Sequence, residues 1–126
     1  MRFAYGANFD PPAPILPIRV SAPGNHEGVL LHALVDTGAD LSVVPSYLAE
    51  EIGLPAVSLV RVRAFDGVFR SAILYAATLE INGVSAICEV LAMGDGALVG
   101  RDFLNRWALL LNGPRQFLEL RRVHRS

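Results

Sequence analysis

The stretch Leu34-Val35-Asp36-Thr37-Gly38-Ala39-Asp40-Leu41-Ser42-Val43-Val44-Pro45 constrains this chain more than any other. Two apolar residues deliver an acidic one into an Asp-Thr-Gly turn, and an apolar segment follows at once. Asp, Thr and Gly are ordinary turn residues, so a plain surface turn between two strands accounts for the local pattern. It does not account for the neighbours. A carboxylate flanked so closely by core-type residues is costly unless it is hydrogen-bonded or used.

The rest of the chain supplies short apolar segments broken by turn residues. Residues 1–10 have no clear period and read as an arm, and Pro11-Pro12-Ala13-Pro14 is a stiff, extended lead-in. Residues 15–21 alternate Ile18 and Val20 against Pro17 and Arg19, a first strand with an edge-like proline. Residues 29–35 form a strongly apolar strand into Asp36, and Val43-Val44 continues beyond it. A short helix starts at Pro45-Ser46, with Ser46 as N-cap, and ends at Gly53, with Leu48 and Ile52 on one face.

Residues 57–65 and 68–79 read as two long strands joined by Asp66-Gly67, a strong hairpin signal. A second hairpin runs through residues 78–81, Asn82-Gly83 and residues 84–91. Ala97-Leu98-Val99-Gly100 is another short strand, residues 101–107 a short helix, and residues 108–111 and 116–120 the last strands. About eight strands with two short helices predict a mostly-β, closed or sandwich-like fold. There is also a loose internal echo: an apolar pair before Asp-Thr-Gly, and an apolar pair before Gly100-Arg101-Asp102.

Composition narrows the function classes. A chain of 126 residues suits one domain. It is 52% hydrophobic with a mean hydropathy of +0.40, which suggests a dense β core or apolar surface kept for a partner chain. No apolar run reaches the roughly 18 residues of a membrane helix. The basic-then-apolar pattern of a signal peptide is absent, so the cytoplasm is the default location. Met1 suggests a freestanding gene product.

With a net charge of −1, no bulk field draws the chain to nucleic acid or membrane. All 11 basic residues are arginine; the short basic run of residues 121–126 reads as a solvated tail. Cys88 is the one cysteine and lies in an apolar alternation, which excludes an internal disulfide and favours a buried inert thiol. His26, His32 and His124 lack metal-ligand spacing. No metal and no cofactor are expected.

Peptide hydrolysis is one chemistry that such a loop is able to carry. Hydrolysing a peptide without metal or covalent intermediate takes a water activated on one side and a carbonyl protonated on the other. Two carboxylates held close share one proton and do both jobs as a unit. This chain has a single Asp-Thr-Gly, so a pair requires a second copy across a two-fold axis.

The loop from Val35 to Asp40 resembles the catalytic loop of the retropepsins, the retroviral-type aspartic proteases, residue for residue in type. Leu98-Val99-Gly100-Arg101-Asp102 resembles the family's second signature, an apolar pair followed by Gly-Arg-Asn/Asp at a helix start. The resemblance runs over roughly residues 15–120, with residues 1–14 as an N-terminal extension. Freestanding bacterial single-domain members have the nearest layout. It implies an acid-protease closed β-barrel, homodimeric, acting on extended peptide or protein.

The resemblance also implies residue roles. Asp36 from each chain forms the catalytic pair, Thr37 bonds across the two-fold, and Gly38 gives close backbone approach and an N–H to the carboxylates. Ala39 and Asp40 line substrate backbone. Leu41, Val44, Phe65 and Val99 shape specificity, and Asp66-Gly67 forms the tip of a flap over substrate. Gly100, Arg101 and Asp102 are structural support, with Asp40 and Arg101 as an inner ion pair. The strand near residues 117–120 falls where retropepsins interleave chain ends between subunits. Retroviral flaps usually carry several glycines, whereas Gly67 stands alone here, which implies a stiffer flap. That departure keeps open a second reading, a retropepsin-fold dimer that binds peptide or assists assembly with little or no hydrolysis. An unrelated β domain with a coincidental turn is the third.

Overall fold

Asn82 and Gly83 both take positive φ, 48° and 78°. A two-residue hairpin of this kind needs left-handed residues at both central positions, and Asn-Gly meets that need at least cost. The computed structural model of the protein describes residues 1–63 and 66–123. In it the Asn-Gly turn joins β6 (Phe69–Ile81) to β7 (Val84–Ala92), antiparallel from Ile81 opposite Val84 to Leu74 opposite Leu91. The segments expected at 68–79 and 78–81 are thus one strand of 13 residues.

That length lets β6 serve several neighbours. Its first half pairs with β5 (Ala56–Arg63), and residues 78–80 also pair with β2 (Ile15–Ser21). β2 pairs with β3 (Gly28–Val35), and β3 runs parallel to β8 (Leu98–Val99). β8 lies antiparallel to β4 (Val43–Val44), which runs parallel to β7. Six strands therefore close a ring, in the order β2-β3-β8-β4-β7-β6 and back to β2. β5 hangs from β6 alone, and its outer edge is open among the described residues.

A second sheet closes one end. β1 (Arg2–Ala4), β10 (Phe117–Arg122) and β9 (Trp107–Asn112) form it, with β10 in the centre. The first residues are tied down: Phe3 lies opposite Leu118, Arg2 pairs with Glu119 at 2.6 Å, and the Met1 ammonium donates to the Leu120 carbonyl. Within the chain both edges of β10 are taken, by β1 and β9, and the outer edges of β1 and β9 are open among the described residues.

Among the described residues there are ten strands and two one-turn helices, the mostly-β closed fold expected, with more than the eight or so strands anticipated. Both sheets share one core. Leu16, Ile18 and Val20 of β2, Leu79 and Ile81 of β6, and Leu118 and Leu120 of β10 are each no more than 2% exposed. Their spacing of two is the strand pleat putting one face inward; each buried side chain of this size is worth roughly 1.5–3 kcal/mol. Phe103 of α2 (Arg101–Leu104) fills the centre.

The helices differ in detail from expectation. α1 (Leu48–Glu51) starts later, with Tyr47 as its cap residue and no side-chain capping bond. Ser46 is not the cap; its N–H donates to the Gly94 carbonyl at 2.9 Å, tying the helix entry to the end of β7. α2 is shorter than 101–107 because Trp107 already belongs to β9. No helix of the described residues is long and apolar enough to cross a membrane.

Candidate active site

The site begins with a parallel pairing. β3 and β8 align Val35 with Val99, so the residues that follow them, Asp36 and Gly100, leave the ring side by side. The Asp36 N–H donates to the Val99 carbonyl at 3.0 Å, continuing the ladder one residue into the turn. The Ala39 N–H then donates to the Asp36 carbonyl at 3.2 Å and closes the turn. The Gly38 N–H donates to Asp36 Oδ1 at 3.0 Å. Among the described residues Oδ2 accepts no such bond, so one carboxylate oxygen is held and the other is free. Asp36 is partly buried; Thr37 and Gly38 are exposed.

Gly100-Arg101-Asp102 clamps this loop from behind. Arg101 Nη1 donates to the Thr37 carbonyl at 2.7 Å, and the Arg101 backbone N–H donates to the Ala39 carbonyl at 2.9 Å. Gly100 has to lack a side chain. A Cβ there would lie 2.8 Å from the Ala39 oxygen and 2.9 Å from the Leu41 carbonyl, both fixed backbone atoms. The two signatures are therefore in van der Waals contact through their main chains.

Arg101 also pairs with Asp40, as expected, but the pair is not an inner one. The Asp40 side chain is 83% exposed and that of Arg101 41%. Exposed pairs of this kind contribute little to stability. The internal bracing comes from Ser42, which the sequence reading passed over. Asp102 Oδ2 accepts the Ser42 N–H at 3.0 Å, and Oδ1 accepts the Ser42 hydroxyl proton at 2.7 Å. Ser42 Oγ in turn accepts the Gly100 N–H at 3.0 Å. Ser42 is 2% exposed. The signal for it was available: a lone hydroxyl inside Leu41-Ser42-Val43-Val44 must find a partner if that run is core.

A cleft of about 570 Å³ opens between the loop and β5. Gly38, Ala39, Asp40 and Leu41 form one wall, and Val60, Arg61, Val62 and Arg63 form the other. Val43 and Leu98 also reach it. Two expected lining residues do not. Val99 is 1% exposed and Val44 2%, and both pack in the core. In two-residue strands the side that faces out cannot be told from the sequence, and a parity error of one exchanges each residue for its neighbour. Asp66 and Gly67 lie at the β5–β6 tip and do not line this cleft; Asp66 Oδ1 accepts the Val68 N–H at 3.0 Å, and Oδ2 faces Arg70 at 3.3 Å. Phe65 lies outside the described residues.

Behind the clamp, burial pushes the Cys88 thiol above its ordinary range, and the negative charge of Asp102 adds to the effect. Among the described residues no three His, Cys, Asp or Glu side chains gather as a group able to hold a metal ion.

Two comparisons bear on this arrangement. The sequence profile of the family described as "gag-polyprotein putative aspartyl protease" matches residues 22–106, which include both signatures. The fold is similar to the crystal structure of a retropepsin-like aspartic protease from Rickettsia conorii. That match has a TM-score of 0.60 and 17% sequence identity, and it covers 94% of this chain and 86% of that one. No curated protein sequence matches the chain.

Proposed function

The chain belongs to the gag-polyprotein aspartyl protease family, and from that premise we propose that it is a homodimeric aspartic endopeptidase. Two Asp36 carboxyls, one from each chain, face each other across a two-fold axis and share a proton. The ionised member takes a proton from a water molecule, and the protonated member gives its proton to the scissile carbonyl oxygen. The tetrahedral intermediate then collapses with proton return to the leaving amine. Thr37 and Gly38 hold the carboxyls in place, and the cleft between the loop and β5 takes the peptide in extended form. The two-fold contact includes the face that carries Asp36, since the pair forms only where the two loops meet.

The observation that supports this most is the state of the Asp36 carboxylate. One oxygen is fixed by the Gly38 N–H and the other is open, on a loop clamped by Arg101 and Asp102. A carboxylate in a merely structural turn has no need of that second framework. The test is turnover of denatured protein substrate from acid to neutral pH, with and without a transition-state-type aspartic inhibitor. Cleavage that the inhibitor stops and that Asp36→Asn abolishes is expected; turnover untouched by Asp36→Asn would end the proposal.

One observation favours the second reading, a peptide-binding or assembly dimer. The β5–β6 tip has Gly67 as its one glycine, and Asp66 braces it internally through the Val68 N–H and Arg70, which stiffens the segment that would close over a hydrolytic site. Such a protein would keep its function as Asp36→Asn. A cytoplasmic setting belongs to the same proposal and is supported by a single, buried cysteine.

A further inference from the structure

The cleft has an unusual wall. Arg61 and Arg63 sit two residues apart on β5, so they leave the strand on the same face. Both guanidinium groups gather at one aromatic ring: Arg61 lies 5.1 Å and Arg63 6.0 Å from the Phe69 centroid. The ring's negative face attracts each of them, but it also brings two like charges together. Among the described residues neither arginine has a carboxylate within ion-pair distance; Asp66 is engaged by Arg70, and Asp40 by Arg101. Both side chains are exposed and both line the cleft. Beside them runs the outer edge of β5, whose N–H and C=O groups have no strand partner among the described residues. An open edge of this kind accepts an extended peptide as an added strand.

We propose that the cleft selects extended peptides with acidic side chains at alternate positions, read by Arg61 and Arg63. The proposal rests on the cleft being the peptide site of the function proposed above. A strand laid along β5 repeats its own side-chain direction every second residue, the spacing at which the two arginines stand. Carboxylates at positions i and i+2 of the peptide then meet one guanidinium each and relieve the repulsion at Phe69. Asp40, the acidic residue of the opposite wall, is neutralised by Arg101 and does not oppose this. A lone carboxylate, or two on adjacent residues, satisfies only one arginine.

The test separates recognition from chemistry by using the full-length Asp36→Asn protein, which binds without cleaving. Three fluorescently labelled peptides of one extended apolar sequence carry Glu, Gln or Lys at two alternate positions, and binding is followed by anisotropy. The Glu peptide should bind about fivefold tighter than the Gln peptide, the sum expected of two exposed ion pairs. At about 1 M salt the difference should vanish. Arg61→Gln with Arg63→Gln should remove the preference, and Arg61→Glu with Arg63→Glu should transfer it to the Lys peptide, which also establishes that the variants fold. Equal affinity for the Glu and Gln peptides, or binding of none of the three, would overturn the inference. Turnover by the wild-type chain is measured separately. Discrimination without Asp36-dependent cleavage would keep the cleft assignment and remove the endopeptidase; cleavage without discrimination would do the reverse.

Discussion

Asp102 grips Ser42 with both carboxylate oxygens, one on the backbone N–H at 3.0 Å and one on the hydroxyl at 2.7 Å. Sixty residues separate the two in the chain. The contact joins the segment after the Asp36 turn to the start of α2, and through Ser42 Oγ it also satisfies the Gly100 N–H. Removing either partner strands buried polar groups. Ser42→Ala should cost roughly 1–3 kcal/mol in chemical denaturation, the range for an orphaned buried donor. Asp102→Ala also loses the bond from the Phe103 N–H and should cost more. The double variant should cost less than the sum, because the two share one network.

Gly100→Ala adds a Cβ where the Ala39 and Leu41 backbone already stands. Overpacking of this kind costs roughly 1–3 kcal/mol. The displacement falls on the loop that carries Asp36, so the proposed Asp36-dependent turnover should drop further than the loss of folded protein explains. Thermal denaturation alongside turnover at a temperature where the variant is fully folded makes the comparison.

Asp40 and Arg101 should separate in their effects. Asp40→Asn breaks only an exposed pair and should change stability by less than about 1 kcal/mol. Arg101→Ala additionally frees the Thr37 carbonyl from its 2.7 Å bond and should loosen the Asp36 turn. Denaturation midpoints compared with hydrogen exchange at Gly38 and Ala39 distinguish the two.

Cys88 gives a pH dependence with a definite sign. Its thiol is held above the ordinary range in the folded chain, by burial first and by Asp102 second. The unfolded chain therefore ionises first as pH rises. Its contribution to stability is full below the ordinary thiol pKa and declines above it, toward the higher folded value. Cys88→Ala should flatten the alkaline limb of a stability-against-pH curve. The native thiol should also resist alkylation at pH 8 until the protein is unfolded.

Much of this was legible from residue order because it depends on local chemistry. Asn82-Gly83 demanded a hairpin, and Asp36-Thr37-Gly38 and Gly100-Arg101-Asp102 pointed to one another and do meet. What could not be read depends on facing and on distant partners. Val99 and Val44 lie in strands too short to reveal their parity, so the cleft took Leu98 and Val43 instead. Arg2-Phe3-Ala4 has no period, and β1 exists because β10 offers it an edge. Ser42 drew no reading of its own, because its partner Asp102 stands sixty residues away in the chain.

The central claim is that each chain supplies one half of a carboxylate pair. Wild-type chain is held constant and mixed with Asp36→Asn under conditions of free subunit exchange and full dimerisation, and turnover is followed. If the pair spans two chains, an equal amount of Asp36→Asn should reduce turnover to about half, and a larger excess should take it toward zero, because mixed dimers hold a single catalytic carboxylate. Turnover that stays constant as Asp36→Asn is added would contradict the claim.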